Sequence, residues 1–199
     1  MSSQVTQSGP ERAMRADARR NYEKLLAAAA AAFAEHGADD VSLEEIARRA
    51  GVGIGTLYRH FPTRDALLQA IYTDQVEALG ELATRLGETE SPERALTAWM
   101  GALVDFTRTK RNLSAALSST LGKDADVLLT CKTILVDATE SLLKPAQQAG
   151  LARADLTAPD FIRLSHSIRV AADLAAEDPA QAERMRAVVM AGILSPSRP

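Results

Sequence analysis

The sequence predicts an all-α protein of about nine helices: a small three-helix reading domain followed by a larger helical domain. Three observations carry this. Aromatics make up only 4% of the 199 residues, and no run of alternating β-branched residues marks a strand. Apolar residues recur at three- and four-residue spacing along most of the chain, the period of helices with one buried face. Capping residues and glycines fall between these stretches, where helix starts and stops need them.

Composition bounds the function. With 46% apolar and 25% charged residues, the chain reads as globular. The opening "MSSQVTQSGPERAM" has no apolar region for a secretory signal. The longest apolar run, Leu25 to Ala34, is far shorter than the roughly 20 residues that cross a bilayer, so no membrane partner is expected. The single cysteine, Cys131, excludes an intramolecular disulfide and a cysteine-based zinc site, and fits a reducing cytoplasm. No metal or cofactor is expected. The net charge of −3 does not mark a nucleic-acid binder. Residues 1–64 nevertheless carry nine Lys/Arg against eight Asp/Glu, while residues 65–199 carry fourteen against eighteen. Four arginines (Arg12, Arg15, Arg19, Arg20) crowd the N-terminus. DNA affinity needs positive charge at the phosphates, not a basic whole.

The elements follow in order. Residues 1–14 are expected to form a disordered arm, and residues 15–72 the reading domain. Leu25, Ala28, Ala29, Ala32 and Phe33 keep helical period until Gly37. "VSLEEIARRAG" starts with Ser42 as N-cap and Glu45 completing a capping box, and stops at Gly51. A second short helix spans about Ile54 to His60. Thr63 caps the next, which runs to about Gly87. Residues 73–194 are expected to form the second domain, and 195–199 a disordered tail. Pro92 suits a first helical position and leads Leu96, Trp99, Met100, Leu103 and Phe106. A further helix carries Leu113 to Leu121. A longer one runs from about Asp124 to Ala149, with Pro145 kinking or breaking it near its end. Thr157 with Asp160 is another box-like start, and a last helix ends near Ile193.

The stretch "GVGIGTLYRHF", residues 51–61, carries the functional question. A dinucleotide loop needs a strand before its glycines, and a P-loop needs a lysine followed by Ser or Thr. Here a capped amphipathic helix precedes them, and neither signature is present. Two short helices joined by a glycine turn make a helix-turn-helix. Gly53 and Gly55 weaken the second helix by roughly 1 kcal/mol each relative to alanine, so something other than propensity favours them. Side-chain-free positions let a helix approach a sugar-phosphate backbone closely. Leu57 and Phe61 point inward, leaving Thr56, Tyr58, Arg59 and His60 on the other faces. Those are groups that reach phosphates and base edges.

At these residues "SLEEIARRAGVGIGTLYRHFPTRDALLQAI" closely resembles the DNA-binding domain of the TetR (tetracycline-repressor) family of bacterial regulators. The resemblance implies phosphate contacts from Ser42, Thr56, Tyr58, His60 and Arg64, the last where the family usually has lysine. It implies base reading at Gly53, Ile54 and Arg59, with Gly53 and Gly55 contributing backbone approach. Arg59, facing guanine, is the leading direct reader. Glu44 facing cytosine is the weaker alternative to a solvated charge. The bland readings stand beside these: Ser42 as a cap alone, Tyr58 as a core aromatic, His60 as a structural histidine, Arg64 as a solvated helix-start charge.

For the second domain the resemblance implies an apolar effector cavity and a homodimer through the last two helices. Candidate lining residues are Trp99, Leu103, Phe106, Leu117, Leu121, Cys131, Leu135 and Phe161, with Thr120, His166 and Arg169 for polar specificity. Ordinary core packing is the alternative for the apolar ones, and a surface or interface role for His166 and Arg169. Leu164, Ile168, Met185, Val189 and Ile193 are the interface candidates. The implied function is a ligand-responsive repressor that binds a palindromic DNA operator as a dimer and is released by a small-molecule effector. An enzyme is disfavoured, because His36, His60 and His166 are scattered without local catalytic partners. A protein-binding helix-turn-helix is disfavoured by the intact set Thr56, Tyr58, His60 and Arg64.

Overall fold

The computed structural model describes residues 9–37, 40–121, 126–174 and 180–194. Among the described residues there are eight helices and no strand: α1 (Gly9–His36), α2 (Leu43–Ala50), α3 (Ile54–His60), α4 (Arg64–Thr89), α5 (Pro92–Leu121), α6 (Asp126–Gln148), α7 (Ala158–Leu174) and α8 (Gln181–Ile193). They form two compact units, Met1–Ile71 and Tyr72–Pro199.

In the first unit, Leu25, Leu26, Ala29, Ala32 and Phe33 of α1 are buried with Ile46, Ala47, Leu57, Phe61, Leu67, Leu68 and Ile71. The expected stripe on α1 is present, widened by Leu26, with Ala28 half-buried. α1 begins at Gly9, so residues 9–14, expected in a disordered arm, are helical. Residues 1–8 and the expected tail 195–199 lie outside the described residues. The Ser42 hydroxyl accepts from the Glu45 amide at 3.1 Å. Glu45 makes only half of the expected box: its carboxylate turns to Arg48 and Arg49 instead.

Arg49 ties two helices together. Its guanidinium binds Glu45 at 2.8 Å and Glu35 of α1 at 2.7 Å. Hydrogen bonding to Arg49 holds both carboxyls below the ordinary glutamate range. The turn after α2 is set by Gly51, at φ 65° and ψ 32°. The Gly51 amide donates to Arg48 O and the Val52 amide to Ala47 O, the paired bonds of a Schellman motif.

In the second unit α5 packs on α6 and α7, α6 on α7, and α7 on α8. Among the described residues there is one helix fewer than expected because the expected fifth and sixth run together as α5. The segment "TRTKRN" between them holds no glycine or proline to stop the backbone. Pro145 does not break α6, which continues to Gln148. The α7 box forms reciprocally: Thr157 Oγ accepts from the Asp160 amide at 3.3 Å, and the Asp160 carboxylate accepts from the Thr157 amide at 3.4 Å. Trp99 is fully buried, and its indole donates to Thr139 Oγ at 3.0 Å. The Thr139 hydroxyl in turn donates to Leu135 O at 2.7 Å, so this buried polar pair is satisfied.

Two predictions follow from the first unit. A Cβ at Gly51 meets nothing within 4 Å, so Gly51→Ala carries only the left-handed backbone cost, about 1–2 kcal/mol. Urea unfolding should show that loss, and Gly51→Asn should lose less. Second, the stabilisation by Arg49 is present above pH 4.5, the ordinary glutamate value, and fades as pH falls through the depressed values of Glu35 and Glu45. Arg49→Met should therefore destabilise the protein at pH 7, and the difference from wild type should shrink as pH falls below 4.5, the ordinary glutamate value, measured by denaturant midpoints across that range.

Candidate functional site

Helix α3 sorts its side chains by period. Leu57 and Phe61 are buried. Thr56 and His60 are half-buried. Ile54, Gly55, Tyr58 and Arg59 form the exposed wall. Tyr58, 45% exposed, is not a core aromatic. Arg59 makes one long bond, its Nε donating to Gly55 O at 3.4 Å, and a bond of that length restrains little. His60 stands edge-on to Tyr22 of α1, with ring centroids 5.9 Å apart. Tyr22 also packs on Phe61 at 5.2 Å, so α1 braces the end of α3. The sequence reading missed Tyr22, although it stands three, four and seven residues before Leu25, Leu26 and Ala29 and so continues the α1 stripe by one turn.

A Cβ at Gly53 or Gly55 would meet nothing within 4 Å. Gly53 caps α3 at φ −65° and ψ 142°, a conformation open to any residue. The fold of this unit therefore does not itself require either glycine. Ser42 and Glu44 are both exposed, so the Ser42 cap bond leaves its side chain within reach of solvent.

Arg64, expected at a phosphate or as a solvated helix-start charge, makes contacts within the chain. Its Nη1 donates to Val41 O at 2.7 Å, and its guanidinium carbon lies 5.5 Å from the Phe33 ring centroid. The other terminal nitrogen is buried without a hydrogen-bond partner. In this pose Arg64 closes the junction between α1 and α2 from the start of α4. Sequence could not indicate this, because the partner is a backbone carbonyl 23 positions away.

The second unit holds a cavity of about 420 Å³ among α5, α6 and α7. Of the expected lining residues, Leu103, Phe106, Leu135 and His166 line it. Trp99, Cys131 and Phe161 are instead fully buried core residues outside its lining, and Arg169 does not line it. The side chains of Leu117, Thr120 and Leu121 lie outside the described residues. The sequence reading missed Thr107, Ile162, Arg163, Ser165 and Ser167, which line it too among the described residues. A signal was available: Ile162, Arg163, His166 and Ser167 flank the buried stripe Phe161, Ser165 and Ile168 of α7. The Thr107, Ser165 and Ser167 hydroxyls donate to the backbone carbonyls of Leu103, Ile162 and Arg163, which leaves their lone pairs to accept.

A second groove is lined by Leu156, Leu164, Val188, Val189 and Ile193 with Arg153 and Asp155. Val188, 73% exposed, is its most solvent-facing apolar group and was not among the expected interface residues. Ile168 and Ile193 were expected at a partner interface, but both are almost fully buried within the chain. Among the described residues, no group of three or more His, Cys, Asp or Glu could hold a metal. No described helix is long and apolar enough to cross a membrane.

A capped helix, a Schellman turn and a short braced helix with an exposed outer wall define a helix-turn-helix DNA-binding unit. The family model for bacterial regulatory proteins of the tetR family matches residues 25–71. That for the C-terminal domain of SbtR-like transcriptional regulators matches residues 91–195. The chain is 35% identical to a TetR transcriptional regulator of Streptomyces coelicolor, over 88% of this chain and 99% of that one, with a TM-score of 0.73. It is 34% identical to a TetR regulatory protein of Mycobacterium vanbaalenii, over 92% and 99%, with a TM-score of 0.72. An HTH-type transcriptional regulator of Mycobacterium bovis is 29% identical over 65% of this chain and 68% of the relative. The fold is shared with the regulator FadR of Bacillus subtilis in complex with stearoyl-CoA, at 16% identity over 86% and 99%, with a TM-score of 0.61. The chain belongs to the TetR family of transcriptional regulators.

The Arg64 geometry makes a prediction. Arg64→Ala removes a charged-donor hydrogen bond and a contact over Phe33, and should lower stability by about 1–2 kcal/mol with no DNA present, after discounting for partial exposure. Urea unfolding of the free protein measures it. Unchanged stability with weakened DNA binding would instead assign Arg64 to phosphate.

Proposed function

We propose that the protein is a ligand-responsive repressor that binds a palindromic operator as a homodimer and is released by a small-molecule effector. The observation that carries the reading is the cavity of the second unit, in a chain whose first unit is a DNA reader. Its volume of about 420 Å³ lies within the range of small-molecule sites. Its apolar floor of Leu103, Phe106 and Leu135 and its rim of Arg163, His166 and hydroxyls suit a molecule with an apolar body and a few polar groups. The stearoyl-CoA complex of FadR supports the same use of this fold.

Dimerisation is supported from two sides. The α7–α8 groove leaves Leu164, Val188 and Val189 at least partly exposed. A seven-residue reading helix touches few base pairs, and a two-fold dimer doubles the site and makes it palindromic. On the DNA side, Ser42, Thr56, Tyr58 and His60 contact phosphates, with backbone approach at Gly53 and Gly55. Ile54 and Arg59 face base edges. The effector acts by favouring a dimer whose two reading helices no longer match successive major grooves.

The test is selection of bound sequences from a random double-stranded library at roughly 0.15 M salt, the physiological ionic strength. A motif of two inverted half-sites is expected. No enrichment, even after unfolding and refolding to strip any bound ligand, would overturn the operator reading. Val188→Glu places a charge in the proposed dimer interface. It should shift sedimentation from dimer to monomer and weaken operator binding, with helix content unchanged.

A further inference from the structure

Ile54 stands on the exposed wall of α3 between two residues without side chains. It is 40% exposed and is the one aliphatic side chain of this helix that the core does not take. Single exposed apolar residues are common, so exposure alone says little. Its neighbours say more. The backbone needs neither Gly53 nor Gly55, and among the described residues a Cβ at either position would meet nothing within 4 Å. Gly55, inside the seven-residue helix, carries a cost in helix propensity, and together with Gly53 at the N-cap it strips the surroundings of Ile54. The result is a lone branched hydrocarbon projecting from a surface that can approach closely.

We propose that Ile54 determines operator specificity by packing on the C5-methyl group of a thymine in each half-site. The inference rests on the sequence-specific operator binding proposed above. The chemistry leaves one favourable partner. Major-groove edges present N7, O6 and O4 acceptors, N4 and N6 donors, and a single apolar group, the thymine methyl. An isoleucine set against donors or acceptors removes their water and returns no hydrogen bond. Set against the methyl, it removes apolar surface on both sides. Tyr58 is one turn along the same stripe and is also exposed, so its ring extends this apolar edge away from the glycines. Arg59 lies on the neighbouring stripe and remains available for a guanine.

The probe is the sequence recovered by library selection, resynthesised with each thymine in turn replaced by deoxyuridine, which removes the methyl and nothing else. Wild-type protein should lose about fourfold in affinity at one thymine per half-site, the fold-change that matches ~0.8 kcal/mol for one buried carbon. Ile54→Ala should bind the thymine and deoxyuridine probes equally at that position, and Ile54→Val should keep most of the discrimination. Exposure of the side chain means that the thermal midpoint of Ile54→Ala should stay near wild type. A deoxyuridine scan without effect at any position overturns the proposal, as does an Ile54→Ala protein that keeps the wild-type preference. In both cases the selected motif itself remains, which separates failure of this contact from failure of the operator reading, where no motif is enriched.

Discussion

The left-handed turn at Gly51 is the constraint on which the DNA-reading surface depends. Helix α3 has seven residues, one of them a glycine, and a second glycine as its N-cap, and isolated helices of that length are not stable in water. Its shape is imposed from outside. On one side the Gly51 and Val52 amides close the end of α2 and fix the direction in which the chain leaves. On the other, Leu57 and Phe61 anchor α3 in the core, and Tyr22 backs His60 and Phe61. A residue that resists positive φ at position 51 therefore strains the one joint that aims the exposed wall.

The same economy shows in the charges. A protein of net charge −3 cannot attract DNA by its overall field, so the placement of individual cations decides. Several are committed within the fold: Arg49 bridges Glu35 and Glu45, Arg48 pairs with Glu45, and Arg64 holds Val41 O. Arg59, with one long backbone bond, is restrained far less. The basic residues of the reading unit thus divide into struts that hold the helices and groups that can turn to a ligand. Residue type alone does not separate the two roles.

That division explains what the sequence made legible. Ser42 with Glu45, Gly51, Thr63 and the Thr157–Asp160 pair act over three or four residues, and their chemistry is visible in the local string. Thr63 Oγ accepts from the Ala66 amide at 3.1 Å, as its place before α4 implies. The reach of Arg64 to Val41, of Tyr22 to His60, and the cavity wall on α7 depend on packing between distant segments, which spacing does not encode. The missing break between the expected fifth and sixth helices has the same origin. Periodicity showed two apolar stripes, but two stripes need two helices only if a residue stops the backbone. Ile168 and Ile193 fit an apolar stripe equally well whether a partner or their own chain covers it, and here their own chain covers them.

Within the second unit, the arrangement on α7 bears on how the proposed repressor would respond to its ligand. Arg163 lines the cavity and Leu164, the next residue, lines the groove proposed for the partner subunit. Phe161, Ser165 and Ile168 lock the helix into the core between them. A close-packed helix does not deform residue by residue; it shifts or rotates as a body. A ligand that repositions Arg163 and His166 therefore moves Leu164 relative to Val188 and Val189. Such movement alters the dimer only to the extent that the ligand binds one arrangement of α7 better than the other. The cavity and the groove proposed for the partner subunit, carried on one helix, would then be two readouts of the same displacement.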